Sequence, residues 1–407
     1  MKRIEGGVTA PKGFLAAGLN AGIKNSDKKD MAMIYSQVPC RGAGVFTTNV
    51  VKAAPVKWDK LAVDTSDYVQ AVVVNSGIAN ACTGEEGYGC CVAMASEAGR
   101  QLDLPTQAVL VASTGVIGKQ LPMDKITAGI GLLAQALGED REHSRLAAEA
   151  IMTTDTRSKE VAVETEIGGR TVTVGGMCKG SGMIHPNMAT MLCFVTTDAA
   201  ISHEMLQKAL SGDVEDTFNM ISVDGDTSTN DSVLLMANGM AENPEITAPG
   251  PGYENFCAAL HEVMVELSKK IAGDGEGCTC LFEVTVTGAR TKSDARILSK
   301  SVICSSLTKA AVFGHDANWG RILCALGYSG VDFDPGQVDI WFESSAGRLK
   351  IVENGVDTGY SEEKATEILS QEEVRAVCDM KQGEESATAW GCDLTYDYVR
   401  INGDYRS

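Results

Sequence analysis

Apolar residues along the chain follow two kinds of spacing, one typical of buried strands and the other of helices. Continuous or alternating apolar runs predict strands at 68–75, 107–113, 161–167, 171–174, 191–197, 232–236, 282–286, 337–342 and 348–352. Apolar residues at helical spacing predict helices at 124–137, 143–152, 203–220, 253–271 and 295–305. Because strands and helices are mixed in both halves, the pattern predicts an α/β or α+β class and leaves the strand order open.

Length and charge narrow the picture further. The 407 residues exceed what one compact core usually holds, so the length predicts two lobes. There are 35 Lys and Arg residues against 54 Asp and Glu residues, which gives a net charge of −19. A surface that negative repels phosphate groups, so we expect neither nucleic acid nor an anionic membrane as a partner. No run of apolar residues is long enough to predict a membrane span.

The thirteen cysteines do not predict a disulfide scaffold. Their number is odd, the chain is long, and no signal-peptide pattern is found at its start. Cys90 and Cys91 are adjacent, Cys278 and Cys280 are two apart, and no C-x-x-C occurs, so a zinc site is not expected. We therefore expect reduced thiols in a cytoplasmic protein without a metal.

The common cofactor and triad motifs are missing from the sequence. Neither G-x-G-x-x-G nor a P-loop occurs, and the acidic stretch 224–231 lacks the Gly and Glu of a calcium loop. A His-dependent triad would have to use His185 or His315, the two histidines in Gly-rich surroundings. No G-x-S-x-G or H-E-x-x-H accompanies them, so the sequence favours chemistry that needs no histidine.

The segment 179–198 offers such chemistry. Gly180 and Pro186 belong to a loop that leads to Thr190, directly before a predicted buried strand. The Thr190 hydroxyl could attack the Ala189 carbonyl, and hydrolysis of the resulting ester would leave Thr190 as a new N-terminus. Its α-amine, with a reference pKa of about 7.7–8.0, could then serve as the base for its own hydroxyl. A threonine that merely opens a strand is the plain alternative, and the segment alone leaves both open.

Long blocks of the chain resemble the ornithine acetyltransferase family, also called the glutamate N-acetyltransferase or ArgJ family. The resemblance rests on residues 7–14, 43–49, 75–77, 79–84, 113–118, 153–156, 186–192, 222–231, 273–277, 316–321 and 401–405, in the expected order. It implies a layered, two-lobed α/β sandwich of the ArgJ/DmpA type, with the catalytic Thr at the start of a buried strand. It also implies self-cleavage into an α subunit, 1–189, and a β subunit, 190–407, which fold together.

The resemblance implies a reaction as well. N2-acetylornithine would pass its acetyl group to Thr190 and leave as ornithine, and glutamate would then take the acetyl group as N-acetylglutamate in arginine biosynthesis. The implied oxyanion hole is Thr114 and Gly115, and the implied substrate contacts are Thr153, Lys179, Thr190, Glu276, Asn402 and Ser407. The family forms larger assemblies, here an expected α2β2 heterotetramer, and needs no cofactor. Some members also accept acetyl-CoA, and the sequence leaves that open.

Two other classes of protein remain as alternatives. A self-cleaving amidase or aminopeptidase of the same architecture would pass the acyl group to water and would not need glutamate. An acidic, Cys-rich scaffold or binding protein would stay uncleaved, with Thr190 internal to an intact chain.

Overall fold

Residues 1–185 and 191–404 are described in the computed structural model, and they fall into two compact units. Unit 1 comprises Met1–Gly180, 191–218 and Thr227–Leu267, and unit 2 comprises Ser181–His185, Asn219–Asp226 and 268–404. Each unit has a β-sheet with helices packed on it, which confirms the predicted mixed α/β class.

The strands of the described residues are β1 (Lys2–Ile4), β2 (Phe14–Leu19), β3 (Met31–Phe46), β4 (Val69–Ile78), β5 (Val109–Val116), β6 (Lys159–Ile167), β7 (Arg170–Lys179), β8 (Leu192–Thr197), β9 (Ile221–Ser222), β10 (Ser232–Ala237), β11 (Leu281–Ala289), β12 (Asp339–Ser344), β13 (Gly347–Glu353), β14 (Val356–Asp357), β15 (Glu373–Asp379) and β16 (Glu385–Cys392). The helices are α1 (Ala54–Thr65), α2 (Gly84–Leu102), α3 (Met123–Gln135), α4 (Arg141–Ala150), α5 (His203–Val214), α6 (Pro251–Ala272), α7 (Lys292–Ile303), α8 (Ser306–Phe313), α9 (Trp319–Gly327), α10 (Glu362–Leu369) and α11 (Tyr396–Asp404).

Unit 1 is built on a sheet that, over the described residues, has nine strands in the order β1-β6-β7-β8-β10-β3-β4-β5, with β2 also pairing with β3. Alternate residues of β4 point to opposite faces. Val72 and Val74 join one apolar cluster with α4, whereas Ala71 and Val73 join another with α2 and α3. Burial on both faces explains the continuous apolar runs that the sequence shows for β4 and β5, which pair in parallel.

Strand β8 follows the predicted cleavage point and lies inside this sheet. It pairs antiparallel with β7, where Cys193 faces Cys178, and parallel with β10, where Leu192 faces Ser232. The expectation that a strand after Thr190 pairs with strands of the first half is therefore confirmed. Cleavage between 189 and 190 would leave two chains whose strands share one sheet.

Unit 2 contains the other sheet, in which the described residues form seven strands in the order β14-β13-β12-β15-β11-β16-β9. Strand β11 lies parallel to β15 and antiparallel to β16. Helix α7 packs on β11 and β16. Its first turn is capped by Thr291, whose hydroxyl accepts the Asp294 N–H at 3.0 Å, so a local signal fixes where the helix begins.

Some predicted elements were wrong or missed. The predicted helix 203–220 ends at Val214, and Phe218–Met220 is only a short 3-10 turn. Strand β3 was missed because Pro39 and two glycines interrupt its apolar pattern, and the ladder between β3 and β4 shifts register between Tyr35 and Cys40 to accommodate that irregularity. Helix α2 was missed because its sequence contains several glycines. No helix within 1–185 or 191–404 has the length and apolar character to cross a bilayer.

The core of unit 1 provides a test of the fold. Phe14 on β2 is fully buried in the cluster shared with α4, so Phe14→Ala should leave a cavity and lower the free energy of unfolding by about 3–5 kcal/mol. Leu132→Ala on α3, where the side chain is 54% exposed, should change it by less than about 1 kcal/mol. Urea denaturation measures both, and equal losses would contradict this core.

Candidate active site

Two predicted site residues lie where β4 and β5 end side by side. Thr114 pairs with Ser76 and Gly115 with Gly77, and the register shifts just beyond this point. Gly115 has a φ of +127°, and a Cβ at this position would stand 2.3 Å from the Gly77 carbonyl carbon. Only glycine fits this approach of the two backbones, so the irregular strand end next to Thr114 is set by sterics.

Buried amides hold this strand end in place. Ser113 Oγ donates to Asn75 Oδ1 at 2.6 Å, joining β5 to β4. Asn230, which lies just before β10, donates from Nδ2 to the carbonyls of Ala79 and Ser113 at 2.6 and 2.8 Å. Fully satisfied buried networks of this kind rigidify their surroundings, and this one fixes the residue directly before Thr114.

Lys179 brings a cation to the same place. It ends β7, its side chain is largely buried, and its Nζ donates to Thr114 Oγ1 at 3.4 Å. Asp155 is also buried and lies close enough to Lys179 for their charges to interact. Burial by itself would raise the pKa of the Asp155 carboxyl, but the positive charges of Lys179 and Lys159 and several hydrogen bonds lower it well below its usual value.

The predicted substrate contact Thr153 joins this group through its backbone. Its N–H donates to Asp155 Oδ2 at 2.9 Å, and Lys24 donates from Nζ to the carbonyl of the preceding residue, Met152, at 2.7 Å. Burial lowers the pKa of Lys24 to about 8. Unit 1 therefore places Thr114, Gly115, Thr153 and Lys179 in one connected neighbourhood.

Unit 2 contains two further predicted contacts, and the structure joins them directly. Asn402 on α11 donates from Nδ2 to Glu276 Oε2 at 2.7 Å. The Glu276 N–H donates to the Ser181 carbonyl at 3.1 Å, and a Cβ on Gly182 would lie within about 2.5 Å of the Glu276 carboxylate. Glu276 is therefore held between a helix and the loop that precedes the predicted nucleophile.

That loop has a second anchor in unit 2. Asp224 accepts the N–H of Met183 at 2.6 Å and that of Ile184 at 2.9 Å, one on each carboxylate oxygen. The next residue, His185, has its Nδ1 within 3.1 Å of Ser222 Oγ and 3.5 Å of Cys304 Sγ. The other histidine singled out in the sequence, His315, has its Nδ1 3.3 Å from Ser370 Oγ at an exposed position.

Three predicted site residues, Ala189, Thr190 and Ser407, lie outside the described residues. Four residues of this neighbourhood were not predicted from the sequence, although each lies in or beside a block that carries the family resemblance: Asp155, Lys159, Asn75 and Asn230. All thirteen cysteines fall within the described ranges and are free thiols. Over those same ranges, His, Cys, Asp and Glu side chains form no group able to hold a metal ion.

Comparison with known proteins adds independent findings. A family model described as "ArgJ family" matches residues 15–407. The chain is 55% identical to the arginine biosynthesis bifunctional protein ArgJ of Symbiobacterium thermophilum, covering 100% of both chains. It is 50% identical to the protein of that name from Thermotoga neapolitana, over 98% of this chain and 99% of the other. Among solved structures, an ornithine acetyltransferase from Mycobacterium tuberculosis complexed with ornithine matches at 42% identity and a TM-score of 0.44, covering 46% of this chain and 99% of that one.

His185 gives this region a pH dependence that can be measured. Burial, together with the nearby charge of Lys300, lowers the pKa of His185 to about 4, whereas an unfolded histidine titrates near 6.5. The unfolded chain therefore binds an extra proton between these values, so the contribution of His185 to stability is complete above about pH 6.5 and declines towards pH 4. Thermal unfolding of the wild type and His185→Asn at pH 7 and pH 5 should show a smaller pH effect in the variant. The exposed His315→Asn is the control, and an equal pH effect in all three proteins would contradict the assignment.

Proposed function

The chain belongs to the ArgJ family, and we propose that it is a self-cleaving acetyltransferase of arginine biosynthesis, which moves acetyl from N2-acetylornithine to glutamate. The family model covers nearly the whole chain, and full-length relatives carry the name of a bifunctional arginine biosynthesis protein. Their identity of 50% or more over whole chains supports a shared reaction rather than a shared fold alone.

One observation carries the proposal: the contact between Lys179 and Thr114 at the end of a buried strand. The Lys179 ammonium donates to Thr114 Oγ1, so the hydroxyl hydrogen of Thr114 remains to be donated elsewhere. The positive charge also polarises this hydroxyl. We propose that this hydroxyl and the backbone N–H of Gly115 act as a pair of fixed donors. Such donors stabilise a developing oxyanion.

The proposed reaction has two acyl-transfer steps at Thr190. The neutral α-amine of Thr190 takes the proton of its own hydroxyl as Oγ1 attacks the acetyl carbonyl carbon of N2-acetylornithine. Thr114 and Gly115 stabilise the tetrahedral oxyanion, the C–N bond breaks, and the proton passes to the departing nitrogen of ornithine. The uncharged α-amine of glutamate then attacks the ester carbonyl carbon on Thr190, and its surplus proton passes to the α-amine of Thr190. The resulting α-ammonium group of Thr190 protonates Oγ1 as the ester C–O bond breaks.

Substrate binding follows from the charges. Ornithine and glutamate share an α-carboxylate, and we propose that Lys179 binds it in a protein whose net charge of −19 otherwise repels anions. We propose that Glu276, oriented by Asn402, contacts the substrate's amino group, and that Thr153 and Ser407 complete the contacts. No cofactor takes part in this scheme.

Self-cleavage supplies the nucleophile and defines the chains. We propose an α subunit of 1–189 and a β subunit of 190–407, associated as an α2β2 heterotetramer in the cytoplasm. The sheet in which β7 and β8 pair supports their staying together. The word "bifunctional" in the names of relatives favours acetyl-CoA as a second acetyl donor to glutamate.

The two remaining alternatives make different predictions. An amidase would release acetate from N2-acetylornithine at the same rate with and without glutamate. A scaffold protein would neither cleave itself nor consume N2-acetylornithine. Under the proposed function, ornithine release continues beyond one molecule per chain only when glutamate is present, and ornithine and N-acetylglutamate then accumulate in equal amounts.

Self-cleavage is tested by Thr190→Ala. Denaturing intact-mass spectrometry should show two fragments meeting between Ala189 and Thr190 in the wild type and a single 407-residue chain in the variant. An intact chain in both proteins would remove the proposed nucleophile and favour the scaffold alternative.

The oxyanion hole is tested by Thr114→Ala. Loss of one fixed donor should lower kcat by about 10² to 10³, measured as ornithine release by chains that have already cleaved. Thr165→Ala, which also removes a largely buried strand hydroxyl in unit 1, should leave kcat within about threefold of the wild-type value. A similar loss in both variants would argue against a special role for Thr114.

A further inference from the structure

A buried ion pair lies beside Lys179 and has no role in the reaction described above. Lys159 Nζ donates to Asp155 Oδ1 at 2.7 Å, and the two side chains are 1% and 0% exposed. Removing two charges from water costs several kcal/mol per ion, and such pairs often stabilise a fold no better than apolar residues would. A contribution to the stability of the fold is therefore a weak explanation for the presence of this ion pair.

Asp155 also accepts hydrogen bonds from the backbone at two places, at Thr153 and directly after Lys179. Its Oδ2 accepts the Thr153 N–H at 2.9 Å, and its Oδ1 accepts the Gly180 N–H at 2.7 Å. Gly180 directly follows Lys179. One carboxylate thus links the segment of Thr153 with the end of β7, from which the Lys179 side chain extends.

Two lysine ammonium groups compete for the carboxylate of Asp155. Lys159 and Lys179 both interact with this single carboxylate, yet Lys159 makes the 2.7 Å ion pair, whereas Lys179 donates to Thr114 at 3.4 Å. A second buried carboxyl near Lys179 belongs to Asp231, whose pKa burial raises well above its usual value. Burial therefore favours the uncharged form of Asp231, which weakens its interaction with the Lys179 ammonium.

We propose that Lys159 is a positioning residue for substrate binding: its ion pair with Asp155 keeps the Lys179 ammonium available for the α-carboxylate of N2-acetylornithine and of glutamate. This inference rests on the proposed function, in which Lys179 binds that carboxylate. Without Lys159, the buried charge of Asp155 draws the Lys179 ammonium to itself, because an unpaired buried carboxylate is strongly unfavourable. The substrate carboxylate then competes with a carboxylate of the protein.

We expect that adding Asp155→Asn to Lys159→Met restores substrate binding. Lys159→Met should raise the KM for both N2-acetylornithine and glutamate by about tenfold and should also lower kcat, because the Lys179 ammonium that polarises Thr114 is drawn towards Asp155. Adding Asp155→Asn removes the competing carboxylate while its amide oxygen still accepts a backbone N–H. The double variant should therefore bring both KM values back to within about threefold of the wild type.

Asp198→Asn is the matched control. Asp198 is as deeply buried in unit 1 as Asp155, and it also accepts two backbone N–H groups, those of Lys12 at 3.2 Å and Thr173 at 2.7 Å. This variant should lower the thermal unfolding temperature and leave both KM values unchanged. All proteins are compared after complete self-cleavage, measured on denaturing gels.

Several results would overturn the proposal. These are an unchanged KM in Lys159→Met, a double variant no better than Lys159→Met, or a raised KM in Asp198→Asn. If Lys159→Met does not fold, the double variant, which lacks both charges of the ion pair, still decides, because a tenfold rise in its KM contradicts the proposal. A wild type without transferase activity would instead refute the proposed function, so the two failures are distinguishable.

Discussion

The unit 1 site is organised around one buried charge, the carboxylate of Asp155. It accepts hydrogen bonds from the backbone after α4, from the backbone after β7 and from Lys159 at the start of β6. The stretch 153–159 and the backbone after β7 thus meet at one buried negative charge. Removing only one partner of this ion pair typically costs about 3–5 kcal/mol, because the other charge is then left buried and uncompensated.

Rigid backbone geometry supplies the other half of the site. Gly115 packs against Gly77 so closely that no side chain fits, and buried amides of Asn75 and Asn230 fix the residue before Thr114. In unit 2, Glu276 is fixed in the same manner by Asn402 and by the loop from Ser181. In each unit, polar groups are oriented before any substrate arrives, which lowers the cost of ordering them during the reaction.

Local sequence patterns predicted some of these features and could not have predicted others. The apolar runs of β4, β5 and β8 were visible because both faces of these strands are buried. Strand β3 was hidden by Pro39, because a proline is normally excluded from a strand interior. The ion pair between Asp155 and Lys159 resembles any exposed pair four residues apart until burial is known, and Asn402 meets Glu276 across 126 residues of sequence. Such contacts depend on tertiary structure, so a single sequence reveals them only through resemblance.

In the proposed reaction, Thr190 carries the acetyl group between two amines. The most direct test is to mix the cleaved protein with N2-acetylornithine in the absence of glutamate and to stop the reaction rapidly in acid. The mass of the 190–407 chain is then determined by mass spectrometry. We expect one added acetyl group on Thr190, one ornithine released for each acetylated chain, and loss of the acetyl group when glutamate is added. Free acetate accumulating beside an unmodified chain, or no reaction at all, would contradict the proposed reaction.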